Sequence, residues 1–240
     1  MTEFTIELAG KAYRVSCLFE TTKAYCKNYI TDNDEDYSIA LTADNIAFER
    51  RLAVQRDADG AAYSDAYLET LALLRRLAEN APNFDAFLIH GSAIMVDNKA
   101  YLFTAPSGTG KSTHSALWRQ MLGDRAKMIN DDKPFIRKDM NGFSLCGTPW
   151  NGKHKLGAPV SAPLAGICFL EQAQQNEISM LTADEALNRL MLQCYMPKNP
   201  NAALKTLEML DSLLKQVPVY RLLCNISVDA AELSYNTMTK

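Results

Sequence analysis

The sequence predicts an α/β protein built on a mixed β-sheet, and three observations carry that expectation. Tyr101–Thr104 is an apolar run that enters a glycine-rich turn, and the turn opens a helical stretch, Ser112–Leu122, closed by Gly123. Downstream, strand and helix signals alternate: Ala165–Leu170, a Thr182-Ala-Asp-Glu185 capping box, a leucine-spaced helix, then Val219–Leu223 and a closing helix. Upstream, Phe4–Leu8 and Tyr13–Leu18 flank Ala9-Gly10-Lys11 as a hairpin.

A chain of 240 residues suits one core, or one core with a small addition. Its formal net charge of −3 gives no general affinity for nucleic acid or an anionic membrane. No apolar run reaches the length of a membrane span, and Met-Thr-Glu-Phe-Thr lacks the basic start and apolar block of a secretion signal, so a cytoplasmic protein is expected. The six cysteines (17, 26, 146, 168, 194 and 224) are scattered without a C-x-x-C pair, which reads as reduced, mostly buried thiols.

The elements follow in order. Tyr37–Leu41 and Phe48–Val54 are expected to add strands, with a turn at Asp57-Ala-Asp59-Gly60. Asp32-Asn-Asp34-Glu-Asp36 has the acidic spacing that begins a calcium loop. Tyr37 stands where glycine is needed and no closing glutamate follows, so a solvated acidic turn is expected. Apolar residues at 63, 67, 71, 74 and 78 mark one helix face, and Pro82 follows its end. No linker or repeat separates this part, so residues 1–86 are expected to form a β-rich extension packed on a core of residues 87–240.

Phe87–Ile89 and Ala93–Val96 flank His90-Gly91, and Asp97-Asn98-Lys99 turns the chain into the Tyr101 strand. Arg125–Asn130 reads as a strand ending in Asp131-Asp132. Toward the C-terminus, Leu187, Leu190, Met191 and Cys194 mark one helix, and Leu204, Leu207, Leu210 and Leu214 mark another. With Asp229–Met238 as a closing helix, each is most simply core.

The chemistry concentrates between residues 88 and 155. Ala105-Pro-Ser107-Gly108-Thr109-Gly110-Lys111-Ser112-Thr113 approaches the pattern G-x-x-x-x-G-K-[ST], with Ala105 in place of the first glycine. If that position needs positive φ, alanine is strained; if it is extended, alanine fits. Bare amides at Gly108 and Gly110 can approach phosphate oxygens, Lys111 can add a point charge, and the Ser112 hydroxyl can ligate Mg²⁺. Parallel strands joined through such a loop would bring their C-terminal ends side by side. Asp131 and Asp132 would then lie by the phosphates, to hold metal and accept a proton; a solvated Asp-Asp turn is the plainer alternative. Gly147-Thr-Pro-Trp150-Asn-Gly152-Lys153-His154-Lys155 could neutralise a transferring phosphoryl group or be a surface loop with Trp150 docked in the core. On position alone His90 reads as a satisfied core histidine, and His114 is unassigned.

Together, His90-Gly91, the glycine-rich loop, the Asp131-Asp132 strand end and Gly147-Thr-Pro-Trp resemble the catalytic domain of the HPr serine kinase/phosphorylase family, whose fold is shared with ATP-dependent phosphoenolpyruvate carboxykinase. The likeness spans Leu88 to about Leu170, and Val217-Pro-Val-Tyr220-Arg-Leu is similar to the closing strand of that family. It implies a mixed-sheet P-loop core of that type with C-terminal helices. It also implies ATP and Mg²⁺, with Ser107, Gly108, Thr109, Gly110, Lys111, Ser112 and Thr113 around the phosphates and Ser112, Asp131 and Asp132 at the metal. His90 becomes an active-site residue alongside Lys111, Asp131 and Asp132, and Lys153 or Lys155 would steady the transferring group. The glycine-rich signature that follows the paired aspartates in that family is absent here, so phosphorylase activity is not implied. Residues 1–86 also differ from the N-terminal domain of bacterial members.

The resulting expectation is a kinase that phosphorylates a hydroxyl, a serine of a protein, peptide or small molecule. Its rivals are a non-catalytic nucleotide-binding regulator and, less suited to so short a chain, a carboxykinase-like lyase. The division of labour between Asp131 and Asp132, ATP against GTP, the acceptor and the oligomeric state, a homo-oligomer included, stay open.

Overall fold

The computed structural model describes residues 1–56 and 59–240, so Asp57 and Ala58 of the expected 57–60 turn lie outside the described residues. The chain divides into two compact units, Met1–Asn80 and Ala81–Lys240.

In the first unit, β1 (Thr2–Leu8) and β2 (Lys11–Cys17) pair antiparallel around Ala9 and Gly10, whose φ values of 51° and 72° give the tight turn the hairpin needs. A short helix, α1 (Glu20–Tyr25), leads to β3 (Tyr37–Ala40), which adds parallel to β2. Helices α2 (Ala43–Arg56) and α3 (Asp65–Asn80) complete the unit. Phe48–Val54 is therefore helical, not a strand. Its apolar residues do not alternate: Ile46, Glu49 and Ala53 form the buried face at helical spacing, and Asn45 Oδ1 accepts from the Thr42 amide at the helix start. The unit consequently carries more helix than its expected β-rich character. Glu69, fully buried on α3, accepts from the amides of Leu18 and Phe19 and from the Thr22 hydroxyl, which satisfies a carboxylate that would otherwise be costly to bury.

The second unit is a mixed sheet with helices on both faces. Its strands are β4 (Ala86–Leu88), β5 (Ser92–Val96), β6 (Lys99–Thr104), β7 (Ala126–Asn130), β8 (Phe135–Asp139), β9 (Gly142–Cys146), β10 (Ser161–Gln172), β11 (Glu177–Met180) and β12 (Val219–Cys224). The order is β4-β8-β9-β10-β6-β5-β7, with β12 paired to β10 and β11 to β12. Helix α4 (Lys111–Leu122) follows the glycine-rich loop, α5 (Ala183–Gln193) carries the expected capping box, and α6 (Pro200–Leu214) and α7 (Val228–Met238) complete the helices. One face buries Trp118 of α4 and Met238 of α7 against Tyr101, Phe103 and Leu222; the other buries Leu190 of α5 and Leu210 of α6 against Leu102, Ile129 and Ile167.

Three details depart from the sequence reading. The strands β6 and β7 run parallel but are not adjacent, because β5 lies antiparallel between them. On α6 the buried face is Ala202, Thr206, Met209, Leu210 and Leu213, whereas Leu204 is 56% exposed. The leucine spacing marked a stripe rotated from the true core face. Met191 on α5 is likewise 40% exposed, not core. Among the described residues no helix is long and apolar enough to cross a membrane.

Candidate active site

Residue pairing fixes the geometry of the site. Ser92, the first residue of β5, pairs with Phe103, while Ala93 pairs with Asn130. The C-terminal ends of β6 and β7 therefore flank the start of β5, separated by two inter-strand spacings, about 10 Å. The loop 105–110 leaves one of these ends and Asp131-Asp132 the other. Gly91, just before β5, fits closely: an added Cβ would lie 2.6 Å from Leu102 Cδ1 and 2.9 Å from the Phe103 carbonyl oxygen.

The glycine-rich loop is open. Gly108 and Gly110 have φ of 81° and 116°, and an ideal Cβ at either would meet nothing within 4 Å. Among the described residues no acceptor is paired with the amides of Ser107, Gly108 or Gly110, and the α4 N-terminus begins directly behind them. Ala105 is buried and is not among the residues with positive φ, so alanine fits there without strain. Thr109 ties the loop together through its hydroxyl to the Pro106 carbonyl (2.9 Å), and Gln172 Nε2 donates to the Thr109 carbonyl (3.3 Å). Lys111 donates to the carbonyls of Ala105 (2.9 Å) and Pro106 (3.0 Å). Burial and the nearby Lys133 charge hold its ammonium below the usual lysine range.

Across β5, Asp131 is 8% exposed and its Oδ1 accepts from Ser92 Oγ at 2.6 Å, while Ser115 Oγ of α4 donates to Ser92 Oγ at 2.7 Å. Asp132 pairs with Lys133 at 2.9 Å. Asn130 shapes this turn: its Oδ1 accepts from the amides of Asp132 and Lys133, and its Nδ2 donates to Thr148. His90 Nε2 is 3.6 Å from Asp132 Oδ1, and Nδ1 donates to Gln193 Oε1 at 3.2 Å. Burial, with the charges of Lys133 and Lys111, pushes the His90 pKa down to about 4, so the ring is neutral at neutral pH.

The structure thus brings Lys111, Asp131, Asp132 and His90 into one electrostatic cluster, and Ser112 lines a cleft with Asp131. Thr113 lines clefts on both sides of α4. Lys153 is exposed on a turn with no side-chain partner among the described residues, and is not drawn into the cluster. Its loop does approach: an ideal Cβ on Gly152 would lie 3.3 Å from the Asp131 carbonyl oxygen. Sequence reading missed Ser92, Ser115 and Gln193, whose roles arise from pairing across long separations, and Lys133, which pairs with its neighbour Asp132. Asn130, an Asx-turn former directly before two aspartates, was discoverable.

Two clefts open beside the loop. One, of about 240 Å³, is lined by Thr109, Gly110, Thr113, Leu117, Leu170 and Cys224 among others. The other, of about 300 Å³, lies along α4 between Ser112, Asp131 and the His154–Leu156 loop. The oxygen donors of Ser112, Asp131 and Asp132 suit a hard cation such as Mg²⁺, and each carboxylate keeps its second oxygen without a hydrogen bond among the described residues. Among the described residues no cluster of three or more His, Cys, Asp or Glu forms an all-protein metal cage. Such a cation would therefore be shared with a phosphate ligand, as is usual for Mg²⁺.

No family model matches this chain, and neither does any curated protein. The architecture itself defines the class, a mixed α/β fold with a loop–helix turn at the C-terminal end of an interior strand. Among solved structures, an HPr(Ser) kinase/phosphatase from Coxiella burnetii is similar over 64% of this chain and 99% of its own, at 11% identity and a TM-score of 0.36. That is a distant likeness, and the case for function rests on this chain's own geometry.

Proposed function

We propose that this protein is a Mg²⁺- and ATP-dependent kinase that transfers the γ-phosphoryl group to a hydroxyl. The single observation behind the reading is that the loop carrying the open amides of Ser107, Gly108 and Gly110 and the carboxylates of Asp131 and Asp132 flank the first residue of one strand. The loop amides and the α4 N-terminus hold the phosphates, and Lys111 adds positive charge there. The apolar 240 Å³ cleft beside Thr113 takes the base and ribose. Ser112 and the carboxylates would hold Mg²⁺, which would supply positive charge at the phosphates. Asp131, which lines the second cleft beside Ser112, accepts the acceptor's proton as the new O–P bond forms and ADP departs. The Ser92–Ser115 pair holds that carboxylate in place, and Lys133 pairs with Asp132, beside which neutral His90 is held by Gln193.

The reading is tested by calorimetric titration with Mg-ATP and by ADP formation with free serine or a lysate as acceptor source. Lys111→Ala is expected to lower turnover at least roughly a hundredfold with the fold intact by circular dichroism. Unchanged turnover would remove the claim, and binding without turnover under every acceptor would leave a nucleotide-binding module.

A further inference from the structure

We propose, resting on the kinase reading above, that the 300 Å³ cleft along α4 is the acceptor site and that Arg119 selects a small hydroxyl compound bearing a carboxylate. Ser112, Ala116 and Arg119 stand at i, i+4 and i+7 and line one wall of this cleft. At 1.5 Å rise per residue, the Ser112 and Arg119 backbones lie about 10 Å apart along the helix. Among the described residues the carboxylate lining the cleft is Asp131, at the Ser112 end; Met128 and Leu156 supply apolar surface, and His154 adds a polar group from the loop. The cleft is therefore acidic where a hydroxyl would react and cationic at the other end.

Arg119 is half-buried and its side chain has no hydrogen bond or ion pair among the described residues, whereas Arg125, Arg137 and Arg189 are each matched to a carboxylate. Asp124 lines a neighbouring depression with Arg119 but does not pair with it. A guanidinium presents a planar fork suited to carboxylate, so an acid is the ligand that would satisfy it. The volume is that of about ten liquid waters, which fits a short hydroxy acid rather than the face of a folded protein.

The test uses the full chain loaded with Mg²⁺ and a non-hydrolysable ATP analogue. Saturation-transfer NMR and calorimetry then compare serine, threonine, glycerate and 3-hydroxybutyrate with the amide of each. At least one acid should bind roughly tenfold or more tighter than its amide. Arg119→Gln should erase that preference and Arg119→Lys should restore part of it. No acid preferred over its amide, or a preference that survives Arg119→Gln, overturns the proposal. A serine-ended peptide, free or amidated, forms a further arm: peptide binding with every small acid silent overturns the small-molecule assignment. Binding of a fluorescent ATP analogue to the wild-type chain is read separately. Its failure strikes the kinase reading, whereas nucleotide binding without acid selectivity strikes only this inference.

Discussion

At Lys111 the ammonium rests on two backbone carbonyls and has no carboxylate ion pair among the described residues, so its charge is available to an anion entering the loop. Ala105 answers the question its sequence left open. Because the position does not use positive φ and its methyl is buried, Ala105→Gly should bring the chain closer to the family pattern yet gain nothing. We expect a loss of about 1–2 kcal/mol in urea unfolding, from added backbone freedom and one lost methyl, with nucleotide affinity unimproved. An increase in affinity on that substitution would show that the loop is under strain at this position. The loop, Lys111 and the aspartate pair could be read from sequence because each is a local pattern. Ser92, Ser115 and Gln193 could not, because serine and glutamine acquire a role only when the sheet and α5 bring them beside Asp131 and His90.

At the scale of an element, α4 is held by contacts that local signals did not reveal. His114, to which no local pattern gives a role, is buried against the Phe103 ring with Nε2 donating to Ser234 Oγ of α7 at 2.9 Å; Trp118 Nε1 donates to the same oxygen. Burial pushes the His114 pKa down to about 4. The folded state thus favours the neutral ring, and its contribution to stability is complete above the unfolded value near 6.5 and lost as pH falls toward 4. The stability advantage of the wild type over His114→Gln should shrink by up to about 3 kcal/mol between pH 7 and pH 4. Urea midpoints of the two proteins across that range check it; a constant difference would mean that His114 titrates normally. Where the periodic signal was strong, as in α3, the element was legible. In α2 it was obscured by Glu49, Arg50 and Arg51 between the apolar residues, and a Glu49–Arg75 pair joins Leu68 packed on Ile46 and Ala53 in holding that helix to α3.

For the whole molecule, every candidate site residue belongs to the unit 81–240, and the first unit satisfies its own buried charge through Glu69. The six cysteines are free thiols, and Cys17, Cys26, Cys146 and Cys168 are buried. Of the two that are partly exposed, Cys224 lines the cleft assigned to the base. A bulky thiol reagent should therefore modify Cys224 first in the native protein, and saturating Mg-ATP should slow that modification several-fold while leaving the total after denaturation unchanged. Peptide mapping by mass spectrometry identifies the site; labelling that nucleotide does not affect would move the base out of that cleft. The alternation of strands and helices made the mixed sheet foreseeable, but the insertion of β5 between β6 and β7 was not, since pairing order has no local signature.

The Asp97-Asn98 turn, with φ of 48° and 61°, joins β5 to β6 at the rim of the sheet opposite the glycine-rich loop. Six residues of strand, about 20 Å, separate it from the phosphates' expected seat. A dye, spin probe or surface tether attached there would report on tumbling or capture the protein without intruding on the loop, which makes this corner the natural handle for biophysical work.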